Sequence, residues 1–253
     1  MKSPIPYVGG KSHLAGRLVD AFPEHTTYCE VFGGAAWVLF TKQPSRFEIV
    51  NDINNDLITF WRVVKYHLEE FYKELKFVLA SRLWWTEWKT QLATGGLTDI
   101  QRAARFFVVQ RQTFAGRVYG QSFRTGARCK PAFNLLRLEE TLSQAHIRLS
   151  SVTIEHLPYE KCIERFDRPE TLFYIDPPYY NCEDRYGKDI FAKSDFTTLA
   201  TQLSRIQGRF VLSLNDTPEV REIFQQFEIT PVQARYTCKP GPVETAHEVI
   251  IRN

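Results

Sequence analysis

Nothing in this 253-residue sequence stays apolar long enough to span a bilayer: stretches such as Ala35-Ala36-Trp37-Val38-Leu39-Phe40 fall far short of the roughly 20 residues a membrane helix needs. No membrane partner is expected. Five cysteines (Cys29, Cys129, Cys162, Cys182, Cys238) stand far apart, odd in number and without a CxxC pair. Neither a disulfide framework nor a zinc ribbon is written in them. No apolar leader follows Met1-Lys2-Ser3, and the simplest compartment is a reducing cytoplasm. The histidines (His13, His25, His67, His146, His156, His247) are dispersed without ligand spacing, so no metal is expected. A dominant charge sign is also missing: 32 basic and 29 acidic side chains leave a net +3, which argues for neither a nucleic acid nor a membrane surface. What is present, 43% hydrophobic and 24% charged residues, is the make-up of a folded soluble chain with a real core. One domain, or a domain with an insertion, fits this length.

The even balance hides a local asymmetry. Residues 1–99 hold 11 basic and 11 acidic side chains, residues 100–150 hold 9 and 2, and residues 151–253 hold 12 and 16. The middle block contains Arg102, Arg105, Arg111, Arg117, Arg124, Arg128, Lys130, Arg137 and Arg148, interleaved with Phe106, Phe107, Phe114, Tyr119 and Phe123. Cations alternating with aromatics suit phosphates and unstacked bases. A solvated helix face with its aromatics in the core gives the same pattern, and the segment alone does not separate the two.

Short β-rich runs bounded by turn formers predict strands at residues 27–31, 46–50, 152–155, 171–175, 209–214 and 247–252. Helices are predicted over 11–22, 35–41, 159–166, 195–207 and 217–227, the last two opened by Asp195 and Thr217 as N-caps, with Pro218 in the first turn. Alternating strands and helices at both ends of the chain imply an α/β fold with a mostly parallel sheet, whose ligands bind beyond the carboxyl ends of its strands. From about Asn54 to Ser150 the alternation gives way to helical stretches such as 57–79 and 100–114, which reads as a helical insertion.

Three clusters carry chemistry. In Phe173-Tyr174-Ile175-Asp176-Pro177-Pro178-Tyr179-Tyr180 an apolar strand runs into an acid and two prolines, which end the strand. The Asp176 carboxylate and the Pro177 carbonyl become two stiffly held acceptors, with Tyr179 as a flat surface beside them. Such a socket suits a planar ring bearing an exocyclic NH2. The second cluster, Glu30-Val31-Phe32-Gly33-Gly34, places glycines at a strand end, where a ligand can approach the backbone; it lacks the GxGxxG fingerprint. Some twenty residues on, Val50-Asn51-Asp52 puts an acid at the next strand end, the position that holds ribose hydroxyls in nucleotide-binding sheets. The third, Tyr7-Val8-Gly9-Gly10-Lys11-Ser12, imitates the end of a phosphate loop, but Ile5 stands where the required first glycine would be, so an NTPase is rejected.

In this order the clusters resemble the Dam-type DNA adenine N6-methyltransferases over nearly the whole chain. Residues 7–14 are similar to the family's aromatic-x-GGK segment, 30–34 to its FxGG-type cofactor motif, 50–52 to its ribose-binding acid and 176–179 to its DPPY motif. The resemblance implies S-adenosylmethionine as cofactor and a Rossmann-like sheet. Residues 1–55 and 150–253 would form a discontinuous catalytic domain, and 56–149 a helical insertion that recognises DNA. It also implies that Tyr7, Lys11, Glu30, Phe32, Gly33, Gly34, Asp52, Tyr159 and Asp176 line the cofactor. Asp176, Pro177 and Tyr179 would hold the target amino group. Arg105, Arg111, Arg117, Tyr119, Arg124, Arg128 and Lys130 are the candidate DNA contacts.

The chemistry agrees with those residue types. An adenine amino group is a poor nucleophile, so two acceptors must draw on its hydrogens and aim its lone pair, which adds positioning to preorganised electrostatics. Inside a duplex that nitrogen cannot reach such a socket, so the base must flip out. Members that recognise GATC carry Phe-Asn-Gly-x-x-Arg followed by a β-hairpin. This chain reads Phe114-Ala115-Gly116-Arg117-Val118-Tyr119 with a short following loop, which implies an altered or relaxed target, read by Arg117 or Arg124. Cytosine C5 methylation lacks its Pro-Cys nucleophile here, and protein-glutamine methyltransferases carry Asn where this chain has Asp176. RNA adenine methylation and a catalytically silent DNA binder stay open as alternatives.

Overall fold

The computed structural model describes residues 1–124, 135–187, 190–236 and 244–253. Among them, seven strands form one sheet: β1 (Thr27–Glu30), β2 (Phe47–Asn51), β3 (Val152–Glu155), β4 (Thr171–Ile175), β5 (Arg209–Asn215), β6 (Glu228–Tyr236) and β7 (Glu244–Arg252). Their order is β3-β2-β1-β4-β5-β7-β6. The first five are parallel, while β7 runs antiparallel between β5 and β6.

Burial on both faces explains why the parallel strands read as nearly continuous apolar runs. Side chains alternate between two cores. Tyr28, Val50, Leu172, Tyr174, Val211 and Ile250 face one, and Cys29, Ile49, Phe173, Ile175, Phe210, Val249 and Ile251 the other. The second core is closed by α8 (Tyr159–Phe166), α9 (Lys193–Leu203) and α10 (Pro218–Ile223). The first is closed by α1 (Ala15–Asp20), α2 (Trp37–Thr41) and the helices between β2 and β3: α3 (Asn55–Tyr66), α4 (Leu68–Leu75), α5 (Arg82–Thr94), α6 (Asp99–Gln112) and α7 (Leu135–Leu149). Phe60, Trp61, Phe71 and Phe107 in these helices pack into the same cluster as the sheet residues.

The sequence places most of these elements within a few residues, and the departures have local causes. The stretch 57–79 breaks at His67 (φ −136°, ψ 40°), which separates α3 from α4. Helix α1 begins at Ala15 rather than Lys11, because the chain from Lys11 to Leu14 is a turn. Asp195 lies inside α9 rather than capping it: the helix starts at Lys193, and Asp195 reaches back to accept from the Ala192 N–H at 2.7 Å. Thr217 does cap α10, accepting from the Val220 N–H, with Pro218 in the first turn. Helix α10 ends at Ile223, and the chain then enters β6, which the sequence reading missed. Pro231 argues against a strand in an interior position, but β6 is an edge, where one side of the strand has no ladder and proline is tolerated.

Helix α7 is tied to the sheet by charge. Glu48 on β2 is buried and accepts from both Nη1 and Nη2 of Arg148, while Lys42 Nζ lies 2.6 Å from its Oε1. Removing one partner leaves a buried charge short of compensation, which typically costs about 3–5 kcal/mol. Because Lys42 remains, Arg148→Ala is expected to lower the unfolding free energy by about 3 kcal/mol, read from urea denaturation midpoints at constant slope.

Candidate active site

Strand order places the site. The chain leaves β1 toward β2 and β3, then crosses to β4 on β1's other side, so adjacent strands diverge at their carboxyl ends and open a crevice there. Glu30 ends β1 and Asp176 follows β4, one on each side of this switch point.

Between β1 and α2 the chain turns tightly. The Gly33 N–H donates to the Asn51 carbonyl at 2.7 Å, and a Cβ on Gly33 would lie 2.6 Å from Val50 Cγ2 and 2.9 Å from that carbonyl oxygen, so only glycine fits. Asp52 fixes the same loop from the neighbouring strand end. Its Oδ2 accepts from the Gly34 N–H and its Oδ1 from the Asn54 N–H, each at 2.8 Å. Burial pushes the Asp52 carboxyl up, and the two amides hold it back. Asn51 clamps a third strand end: Nδ2 donates to the carbonyls of Val31 and Leu157, and Oδ1 accepts from the Leu157 N–H. On the far wall, Phe32 stacks on Tyr159 at 5.6 Å and meets Phe191 edge-on at 5.9 Å. Tyr7 lies against Gly34, and its hydroxyl accepts from Asn54 Nδ2 at 3.1 Å.

All nine residues expected at a cofactor line this one cleft: Tyr7, Lys11, Glu30, Phe32, Gly33, Gly34, Asp52, Tyr159 and Asp176. At its end stands the socket. Lys11, almost fully buried, places Nζ 2.7 Å from Asp176 Oδ1 and 2.8 Å from Tyr179 Oη, 4.4 Å from the centroid of the Tyr179 ring. Ser213 on β5 also donates to Asp176 Oδ1, at 3.1 Å. Burial pushes the Asp176 carboxyl up while Lys11 pulls it down. Pro177 and Pro178 are buried behind it, and Asn215 at the end of β5 pins the backbone of Tyr180 through both its N–H and its carbonyl.

Among the described residues, three non-glycine residues hold left-handed backbone: Ala36, Asn181 and Ala115. They lie in the glycine loop, after the acid-proline tetrapeptide and in the basic segment respectively. Strain of this kind collects where surrounding structure imposes a functional geometry.

The basic candidates divide. Arg105 Nε donates to Gln91 Oε1 at 2.6 Å, with its guanidinium over the Trp88 ring, and Arg111 Nη1 donates to the Pro4 carbonyl at 2.7 Å. Both bind the protein itself. Arg117, Tyr119 and Arg124 are exposed. Arg128 and Lys130 lie outside the described residues. The loop that carries the exposed three is more ordered than a short connection: Thr113 bridges Phe123 antiparallel, the Phe114 N–H donates to the Ser122 carbonyl, and the Arg124 N–H to that of Gln112. The sequence reading missed Asn51, Ser213, Asn215, Tyr186 and Phe191. Ser213 sits inside a run marked as a strand, Asn51 and Asn215 directly follow two such runs, and Tyr186 and Phe191 lie in connecting chain without periodicity.

Glu30, one of the residues lining the cleft, also braces the backbone behind it. Its Oε2 accepts from both the Tyr28 hydroxyl and the Leu39 N–H at 3.0 Å, and burial pushes its carboxyl up to about 8, so near neutrality it is largely an uncharged brace for the start of α2.

A family model for the D12 class of N6 adenine-specific DNA methyltransferases matches residues 7–238. A DNA N-6-adenine-methyltransferase of Escherichia phage P1 is 25% identical over 98% of this chain and 35% of its own length. This chain thus spans about a third of that protein. The type II methyltransferase M.CviBI of Paramecium bursaria Chlorella virus NC1A is 20% identical, with 99% of each chain aligned. The DNA adenine methylase of Haemophilus influenzae is 23% identical over 94% of this chain and 88% of its own.

The raised Glu30 carboxyl sets a sign. The folded state keeps a proton the unfolded chain releases near its ordinary value, so this group's contribution is full in acid and is lost as pH rises toward about 8. Glu30→Gln keeps one oxygen for both donors and does not titrate. Denaturation across this range should show wild type losing stability relative to Glu30→Gln with rising pH; a constant difference would show that Glu30 is ionised throughout.

Proposed function

The chain belongs to the D12 class of N6 adenine-specific DNA methyltransferases, and on that premise we propose that it methylates an adenine flipped out of DNA, at Asp176, with S-adenosylmethionine as donor. One observation carries the reading. A nitrogen, Lys11 Nζ, already sits at the carboxyl end of β4 with a hydrogen on Asp176 and the Tyr179 hydroxyl beside it. An exocyclic NH2 asks for the same surroundings, so an entering adenine takes the place of the ammonium, and Lys11 swings toward the cofactor side.

The cleft fits a cationic sulfonium nucleoside. Asp52, whose oxygens keep lone pairs beyond the two amide bonds, stands where ribose hydroxyls bind; Phe32, Tyr159 and Phe191 offer flat walls to a purine; and Asp176 adds an acid near the sulfonium. S-adenosylmethionine supplies an electrophilic methyl group. The protein's own task is the nitrogen. Asp176 and the Pro177 carbonyl each accept one N6 hydrogen, Tyr179 stacks under the ring, and Ser213 with Asn215 keeps the acceptors from drifting.

Residues 56–149 then serve target recognition, with the bridged loop from Thr113 to Arg124 presenting Arg117, Tyr119 and Arg124 to DNA, and with Arg128 and Lys130 as further candidate contacts. Arg105 and Arg111 support it through Gln91 and Pro4. Ala115 in place of the family's asparagine, and Tyr119 in place of its arginine, shift the target away from GATC.

Asp176→Ala should lower methyl transfer by about 10²–10³-fold or more while DNA affinity stays nearly unchanged. A variant that methylates normally would remove the mechanism. Methyl transfer to duplex DNA, single-stranded DNA and RNA compared side by side should favour duplex DNA; preference for RNA would identify a different substrate. Arg117→Ala should reduce the slope of log affinity against log salt by about 1, as expected for one lost phosphate contact. Mapping methylated adenines before and after expression in a host tests the target, and strict GATC marking would refute the shift.

A further inference from the structure

One side chain in the cleft has no task in this mechanism. Tyr186 follows a short 3₁₀ turn at Glu183–Arg185, beyond the acid-proline tetrapeptide, and lines the cleft. Its hydroxyl donates to the Val8 carbonyl at 3.1 Å, and its ring lies 6.4 Å from that of Tyr7. The Val8 N–H donates to the Gly116 carbonyl at 2.9 Å. Both polar groups of Val8 are therefore held, one by the loop presenting Arg117 and the other by Tyr186. The strap from Tyr7 to Lys11 carries a cleft residue at each end and is fastened at its middle.

Gly9 marks the closeness of that fastening independently. Its φ is +75°, and an ideal Cβ there would stand 2.3 Å from Tyr186 Oη but 3.7 Å from Cζ. A side chain there would meet the hydroxyl and not the ring, on top of the strain that the positive φ imposes by itself. Burial, with the charges of Asp176 and Asp52 adding to it, holds the phenol protonated well above the ordinary tyrosine range, so it stays a donor.

We propose that Tyr186 is a positioning residue that latches the Tyr7–Lys11 strap over the bound cofactor, an inference that rests on the S-adenosylmethionine reading above. Cofactor exchange requires the strap to lift, and turnover requires it to close with Tyr7 and Lys11 in place. A neutral hydrogen bond suits that duty, since its modest net strength shifts the closed population without locking it.

The test uses the full chain, with steady-state methyl transfer to duplex DNA at varied cofactor and calorimetric titration with S-adenosylhomocysteine. Tyr186→Phe keeps the ring and loses the latch. It should raise KM for the cofactor and Kd for S-adenosylhomocysteine about fivefold with kcat within about twofold, a split that general misfolding does not produce. Gly9→Ala forces the phenol off Val8 and should lose more. In the double variant the oxygen is gone and the ring leaves room for a methyl group, so it should bind more tightly than Gly9→Ala alone. Unchanged KM and Kd in Tyr186→Phe, or losses that simply multiply in the double variant, would overturn the latch. A wild-type protein that neither binds S-adenosylhomocysteine nor methylates DNA would instead overturn the cofactor reading, and the latch with it.

Discussion

The structure turns on a buried ion pair between two residues 165 positions apart, Lys11 and Asp176, closed at 2.7 Å. Each is expensive to bury alone, and each is tolerated because the other is there. The pair fixes the N-terminal strap to the end of β4 and so defines one wall of the cleft. It also holds the Asp176 carboxylate in one orientation, with Lys11 offsetting the upward push of burial.

Around that pair the polar groups act mainly on backbone. Asp52 holds two amides and Asn51 three strand-end groups, while Glu30 braces the start of α2 and Asn215 secures Tyr180. Asp52, Asn51 and Asn215 each tie a loop at the carboxyl end of one strand to its neighbour's, so the crevice is preorganised before any ligand enters. The left-handed Ala36, Ala115 and Asn181 belong to the same economy, since strained backbone survives only where its surroundings over-determine it.

The helical segment between β2 and β3 is joined to this frame rather than appended. Its aromatics share the first core with the sheet, Arg148 is paired with Glu48, and the Gly116 carbonyl holds Val8. The loop that carries Arg117 is thus joined to the cleft through one peptide group. The basic surplus read from the sequence also has two fates. Arg105 and Arg111 bind within the protein, whereas Arg117 and Arg124 face outward.

The sequence alone determined the parallel strands, because a sheet buried on both faces writes itself as short apolar runs, and it placed prolines, glycines and acids at their ends, because those residues are local in the chain. Thus 152–155 and 171–175 coincide with β3 and β4, and Asp176, Asp52 and Gly33 could be marked before any coordinates. Edge strand β6 escaped because Pro231 is permitted only by its place in the sheet order, a non-local fact. The same holds for Ser213 and Tyr186, ordinary residues in sequence whose meaning is a distance to Asp176 or Val8. Only the tertiary structure decided which cations are spent inside the protein and what Lys11 touches, because side-chain partners far apart in the chain leave no periodic trace in it.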